Sequence, residues 1–390
     1  MLICIGTRPE IIKMAPVYFA LRRAAAPVRV LHTGQHTDMA APLYRFFGIE
    51  PEHVLSLPRA SQALHGLNAE LLHGIGEQVA RIRPSAVLVH GDTSSAAMGA
   101  LAAFYCQTPV WHVEAGLRTY QSYDPFPEEK HREIIGRIAC WHFAPTRTAR
   151  QNLLKEGVAE EGVQVVGNTG VDAAYLAVHR IETAQREPEG LRGLVPSELQ
   201  SLSQKWRGLR WVLVTAHRRE NWGEPIRQIA AAVRELIMTV PDIGILWPAH
   251  ANPVVRAGMQ AQIDAIPPAF RDRIVVCGPL EYPALVWFLR NAWLILTDSG
   301  GIQEEAAAFS VPVLVLRRTT ERPELIEAGG GRLVGTESRA ILACARNLID
   351  DPDAYARMRM TTNPFGDGHA AERIAKVAQP ATQHQQRVSA

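Results

Sequence analysis

Three carboxylates stand where apolar runs give way to helix-like stretches: Asp92 in "HGDTSSAAMGA" (90–100), Glu114 in "HVEAGLRT" (112–119) and Glu128 in "PFPEEKHRE" (125–133). Asp92 or Thr93 is placed to cap the next helix, which is one reading of Asp92. Glu114, followed by Ala-Gly, caps nothing obvious. Three carboxylates at one rim are what general acid/base chemistry needs, since neighbouring environments can push their proton affinities apart. Glu129, next to Glu128, is expected to face solvent.

A second set of residues suits an anion. "TDSGGIQEEA" (297–306) places Ser299, Gly300 and Gly301 where a strand turns into a helix, so free N–H groups point at a ligand that the glycines let come close. Glu304 and Glu305 complement the positive helix end, and one of them can also reach the hydroxyls of a ribose. Arg322 in "TTERPE" (319–324) is a phosphate partner at the next strand end. These features together describe a nucleotide diphosphate site, and the absence of GxGxxG argues against nicotinamide. "LVTAHRRENWGEP" (213–225) adds His217, Arg218, Arg219 and Glu220, with His217 either a structural hydrogen-bonder or a ligand group. His250 in "PAHANPVV" (248–255) repeats the layout, although Asn252 and Pro253 suffice to start a helix there. In "GTRPEIIKMAP" (6–16), Thr7 and Glu10 have capping-box spacing and Pro9 fits a helix start. Arg8 opposes the helix dipole, so an anion between it and the backbone N–H groups is expected, with Lys13 a second contact.

These residues need strand ends to hold them. Strands are expected at 2–6, 28–34, 85–91, 109–114, 141–145 and 163–167, and again at 210–216, 243–249, 273–278, 292–298, 311–316 and 331–336, with helical patterns between most of them. Continuous Val/Leu/Ile runs separated by helices indicate parallel strands covered on both faces, hence a doubly wound α/β fold built twice. Residues 182–208 read as a helix end and connector. In such sheets ligands sit beyond the carboxyl ends of the strands, where all the residues named above fall.

Composition narrows the functional class. With 390 residues there is room for two to three domains. Lys and Arg number 41 against 39 Asp and Glu, so the basic excess of a nucleic-acid binder is missing and an anion must be held by local geometry. The five cysteines are odd in number and widely spaced, so neither a disulfide framework nor a CxxC metal site is expected. The 14 histidines show no HExxH, and His112 with Glu114 is too weak a pair for a metal. No apolar run approaches the roughly 18 residues of a membrane helix, and Met1 leads directly into a strand; a cytoplasmic, unprocessed protein is expected.

"GTRPEIIKMAP", "HGDTSSA", "HVEAGLRT", "PFPEE", "FAPT", "GNTGVDA", "TAHRREN", "LTDSGGIQEEA" and "TTERPE" resemble, in order and spacing, the non-hydrolysing UDP-N-acetylglucosamine 2-epimerases, from about residue 3 to about 376. The resemblance implies a GT-B-like fold of two Rossmann-like domains facing across a cleft. Residues 1–168 would form the acid/base domain and 169–358 the UDP-binding domain. A helix in 359–380 would cross back to the first domain, leaving 381–390 as a disordered tail.

It also implies a homodimer, no cofactor, and interconversion of UDP-GlcNAc and UDP-ManNAc for cell-surface polysaccharide synthesis. UDP is eliminated anti to give 2-acetamidoglucal and then re-added. Asp92, Glu114 and Glu128 would be the acid/base carboxylates, with their individual roles unassigned. His217 would stabilise the leaving UDP, while Arg8, Lys13, Ser299, Gly300, Gly301, Glu305 and Arg322 would hold the nucleotide. Gln35, His36, Arg218 and His250 would make regulatory or sugar contacts. Departures from the family pattern occur at "TGQHTDM", near Ser61, at His131 (usually Asn) and at Arg318 (usually Asp). The first two put a regulatory UDP-GlcNAc site in doubt. The added positive charge points to a second reading, a modified UDP-sugar such as a UDP-diacetamido-uronate. A GT-B glycosyltransferase would share the nucleotide site without needing three carboxylates on the facing domain.

Overall fold

The structure, a computed structural model, describes residues 1–36, 40–58, 63–185, 197–249 and 252–378. The expected tail at 381–390, the departure near Ser61 and the His250 assignment lie outside the described residues. Two compact units are present, Met1–Leu176 with the chain from Phe365, and Ala177–Pro364.

The first unit is built on seven parallel strands: β1 (Leu2–Ile5), β2 (Arg29–His32), β3 (His53–Val54), β4 (Val87–His90), β5 (Val110–Val113), β6 (Trp141–Ala144) and β7 (Val163–Val165). Their order is β3-β2-β1-β4-β5-β6-β7. The second unit has six, β8 (Arg210–Thr215), β9 (Ile243–Pro248), β10 (Ile274–Cys277), β11 (Leu294–Thr297), β12 (Val313–Val315) and β13 (Gly331–Leu333), ordered β10-β9-β8-β11-β12-β13. In both sheets the direction of winding reverses next to the first strand, between β1 and β4 and between β8 and β11. The loops leaving those strands splay apart there, which opens a crevice for a ligand.

The apolar runs fold this way because both faces of each sheet are covered. In the second unit Val212, Val214, Ile245, Trp247, Leu294 and Leu296 pack with Ile226, Ile229, Val233, Leu236 and Ile237 of the helix Glu224–Thr239. That helix shows its buried side chains at spacings of three and four, and each large aliphatic one contributes about 1.5–3 kcal/mol. Two elements went unanticipated, β3 and the helix Ser197–Lys205 within the expected connector. β3 is two residues at a sheet edge, and "SELQSLSQK" is too polar to show a period. All five cysteines are free thiols. Among the described residues no helix is long and apolar enough to cross a membrane.

The helix Ala370–Ala378 packs on Arg8–Arg23, burying Ala370, Ala371, Ile374 and Ala375. Its first turn is held by Asp172, whose carboxylate accepts from the N–H groups of Ala370 (3.3 Å) and Ala371 (2.8 Å). Removing such a cap costs about 0.5–2 kcal/mol. Asp172→Ala is therefore expected to speed hydrogen exchange at the Ala370–Ala378 amides by roughly 2- to 30-fold, measured against the strand amides of the same sheet.

Candidate active site

In the first unit the exit of β1 closes against the helix Ser94–Tyr105. A Cβ on Gly6 would stand 1.9 Å from Thr33 Oγ1 and 2.2 Å from Ser95 Oγ, so only glycine lets the chain pass. Glu10 is fully buried behind this turn and accepts from the N–H groups of Gly6 (2.9 Å) and Thr7 (2.7 Å) and from Thr93 Oγ1 (2.7 Å). It thereby ties the Arg8 turn to the Asp92 loop. Thr93 is the helix cap, accepting from Ala96 N at 3.0 Å. Asp92 is thus spared the capping task and pairs instead with Arg132, whose Nε lies 2.8 Å from Asp92 Oδ2.

Glu114 follows β5 with φ +62°, a left-handed conformation uncommon outside glycine that is held by its surroundings. Its carboxylate forms an ion pair with Lys13 and lies 3.7 Å from His90 Nε2. Glu128 opens the helix Glu128–Ile138, and its Oε2 is buried without a hydrogen-bond partner among the described residues. Gln35 accepts from Ser95 N (3.0 Å) and Ser95 Oγ (2.6 Å), while the N–H of exposed His36 donates to the Gly6 carbonyl at 2.9 Å.

Glu129 corrects an expectation: it is fully buried, not solvent-facing. It accepts from Thr119 N (3.0 Å), Tyr120 N (2.8 Å) and Arg132 Nη1 (2.9 Å). Burial alone would raise its pKa, but these donors outweigh it and hold the carboxylate below its ordinary value. Arg132 therefore bridges the buried Glu129 to Asp92. The other neighbour of Asp92 is His131, which is buried with its Nδ1 2.8 Å from the Asp92 carbonyl oxygen. His112 accounts for a further buried imidazole, with Nε2 2.7 Å from the Gly91 carbonyl, and desolvation pushes its pKa down to about 3.

In the second unit β8 and β11 end in register, Thr215 beside Thr297, their hydroxyls 2.6 Å apart. His217 follows two residues after Thr215, and Asp298 directly after Thr297. Asp298, which the sequence reading passed over, is fully buried, and its Oδ2 accepts from His217 N (2.8 Å), Arg218 N (2.9 Å) and Asn221 Nδ2 (2.9 Å). Its Oδ1 is 3.1 Å from His217 Nδ1. Burial would raise the Asp298 pKa, but the His217 ring and the other donors bring it below the ordinary value. The only sequence signal for it was its position, one residue after an apolar strand and directly before Ser-Gly-Gly.

Ser299 precedes the helix Gly300–Ala308 and makes no side-chain cap, while its own N–H donates to Thr297 Oγ1 at 3.0 Å. A Cβ placed on Gly300 would be 3.9 Å from both Arg218 Nη2 and Arg322 Cζ, whereas one on Gly301 would meet nothing within 4 Å. Two guanidiniums therefore converge on an open helix N-terminus. Each is aimed by a carboxylate: Arg322 pairs with Glu304, and Arg218 Nη1 lies 3.1 Å from Glu321. Glu321 is in turn held by the buried Arg317, at 2.6 Å, which also binds Glu220 at 2.6 Å. Burial opposes ionisation of Glu321, but Arg317 and Arg218 prevail and hold its pKa at about 2. Glu304 is thus engaged with Arg322, and Glu305 is the half-buried carboxylate of the pair. Among the described residues no group of three His, Cys, Asp or Glu side chains is arranged to hold a metal ion.

Two parallel-sheet units, each with its polar residues at the winding reversal, define an α/β enzyme of GT-B-like fold. Comparison with known proteins carries this further. The family profile described as UDP-N-acetylglucosamine 2-epimerase matches residues 20–379. A UDP-N-acetylglucosamine 2-epimerase of Escherichia coli K12 is 40% identical over 370 residues, covering 95% of each chain. One of Campylobacter jejuni is 40% identical over 377 residues, covering 96% of each. The crystal structure of the Neisseria meningitidis enzyme bound to UDP-GlcNAc superposes with a TM-score of 0.83 at 36% identity, covering 96% of this chain and 98% of that one. The chain belongs to the UDP-N-acetylglucosamine 2-epimerase family.

Glu10 provides a pH test of the first unit. Burial raises its pKa from 4.5 to about 7, even against the hydrogen bonds it accepts. A carboxyl group raised on folding contributes stability that is complete below the lower value and is lost as pH climbs through the upper one. Urea denaturation at a series of pH values is expected to show Glu10→Gln gaining on the wild type between pH 4.5 and about 7, with the gap constant outside that window.

Proposed function

We propose that the protein interconverts UDP-N-acetylglucosamine and UDP-N-acetylmannosamine by eliminating and re-adding UDP. The C2 hydrogen is not acidic, so a carboxylate removes it while the C1–O bond to the diphosphate breaks, leaving 2-acetamidoglucal and UDP. A carboxylic acid then protonates C2 on the other face as the UDP oxygen re-forms the bond at C1. Asp92, Glu114 and Glu128 supply these proton transfers. Lys13, ion-paired with Glu114, balances its charge, His90 packs beside them, and Arg8 contributes to anion binding from the same unit. In the second unit His217, Arg218, Arg322, the Ser299 hydroxyl and the N–H groups at Gly300 and Gly301 bind the diphosphate, and Glu305 the ribose. The observation that carries this reading is the pairing of Lys13 and His90 with Glu114, because a carboxylate held in a left-handed backbone between two bases has no evident structural task.

The modified-sugar alternative loses its ground in the site. His131 is buried against the Asp92 carbonyl rather than presented to a ligand, and Arg318 is exposed. A product of this kind suits the supply of cell-surface polysaccharide precursors. Homodimerisation fits the exposed Phe104 and Tyr105, adjacent at the end of the helix Ser94–Tyr105. Light scattering is expected to give twice the monomer mass, and a monomer across the concentration range would remove that part of the proposal.

Incubation with UDP-N-acetylglucosamine in D₂O, followed by NMR, tests the chemistry: deuterium should appear at C2 as the manno epimer forms. Glu114→Gln and Glu128→Gln should each lose roughly 10²–10⁴-fold in turnover while still binding UDP. Sugar transfer to an acceptor without isotope uptake would replace this reading with a transferase.

A further inference from the structure

Gln303 is a fully buried amide on the helix Gly300–Ala308, and its two ends meet different turns. Nε2 lies 3.2 Å from the Ser299 carbonyl oxygen, and Oε1 lies 2.8 Å from Thr320 Oγ1. A carbonyl oxygen only accepts, so the NH₂ group must face Ser299 and the amide oxygen must face Thr320. The Thr320 hydroxyl therefore gives its hydrogen to Gln303, and its oxygen accepts the N–H of Arg322 at 3.1 Å. Three hydrogen bonds thus run in one direction, from Arg322 to Thr320 to Gln303 to Ser299. They join the turn after β12 to the turn after β11, two neighbouring strands paired through Thr297 and Val315. An unbonded amide at that depth would cost more than an ordinary hydrogen bond contributes, so the loop carrying Thr320 is held where it can supply the donor.

Glu304, the next residue of the helix, pairs with the Arg322 guanidinium. The two contacts hold different parts of Arg322. Glu304 holds the tip of a long side chain, while Thr320, anchored by Gln303, holds the backbone from which that side chain starts. The guanidinium so placed has its Cζ 3.9 Å from where a Cβ on Gly300 would stand. We propose that Gln303 and Thr320 are positioning residues, which fix the backbone of Arg322 so that its guanidinium meets the diphosphate at the Gly300 helix terminus. This rests on the diphosphate site proposed above. Neither residue needs to touch the nucleotide, because the relay acts through the main chain of Arg322.

UDP binding measured by isothermal calorimetry tests the relay. Gln303→Met keeps the length of the side chain without the amide, and Thr320→Val keeps the shape without the hydroxyl. Each should weaken UDP binding roughly 2- to 10-fold, the worth of one hydrogen bond, and the double variant should lose little more than either alone. Thr320→Ser should recover most of what Thr320→Val loses. In an Arg322→Gln background Gln303→Met should cost nothing further, whereas a role confined to packing the helix would cost the same with or without the guanidinium. Amide hydrogen exchange needs no nucleotide: exchange at the Arg322 N–H should quicken in Gln303→Met, although Gln303 bonds to Thr320 and not to that amide. Unchanged UDP affinity in both variants, additive losses, an undiminished loss in the Arg322→Gln background, or unchanged exchange at Arg322 would each overturn the proposal. If Gln303→Met does not fold, Thr320→Val, at a half-buried loop position, carries the Arg322→Gln comparison. Failure of the wild type to bind UDP would remove the diphosphate reading, while the exchange experiment still decides whether the relay holds Arg322.

Discussion

A carboxylate withdrawn from water must find donors, and in this protein that requirement shapes the loops. Glu10, Glu129 and Asp298 are each fully buried, and each gathers backbone N–H groups from a turn leaving the sheet or lying just beyond it. Leaving such a group unpaired costs more than an ordinary hydrogen bond contributes, so the turn conformations are dictated by the acid beneath them. The side chains placed above, Arg8, Asp92, His217 and Arg218, inherit their directions from that arrangement. Acidity of the site and rigidity of the site thus have one origin.

Charge is organised in the same layered way. Two arginines of the second unit alternate with acids, from Glu220 through Arg317 and Glu321 to Arg218. That chain and the separate Arg322–Glu304 pair hold two guanidiniums near Gly300 without the mutual repulsion that would scatter them. The arrangement also explains how a chain with almost no net charge gathers positive charge at one helix N-terminus.

Much of the architecture could be read from residue order. Long runs such as "RWVLVT" and "LILT" are too apolar to be anything but buried, and their spacing by helices leaves parallel pairing as the natural outcome. β3 escaped because His53–Val54 carries no pattern at all. Among the site residues, charge and position singled out Asp92, Glu114, Glu128 and His217, but depth was invisible. Glu128 and Glu129 are neighbours on one helix, and about 100° of rotation sends one into the protein among N–H donors. Nothing in the dipeptide says which. Asp298 likewise hides behind the glycines that follow it, since a buried acid at a strand end looks like a cap until its donors are located in space.

The segment that returns at Ala370–Ala378 has a consequence for biogenesis. The strands of the first sheet are complete once Val165 has been made, yet the helix Arg8–Arg23 lacks its covering partner for another two hundred residues of translation. Ala177–Pro364 is contiguous and is synthesised between the two parts of the first unit. The oldest part of the polypeptide is therefore the last to be sealed, and it is the late-arriving Ala370, Ala371, Ile374 and Ala375 that close it.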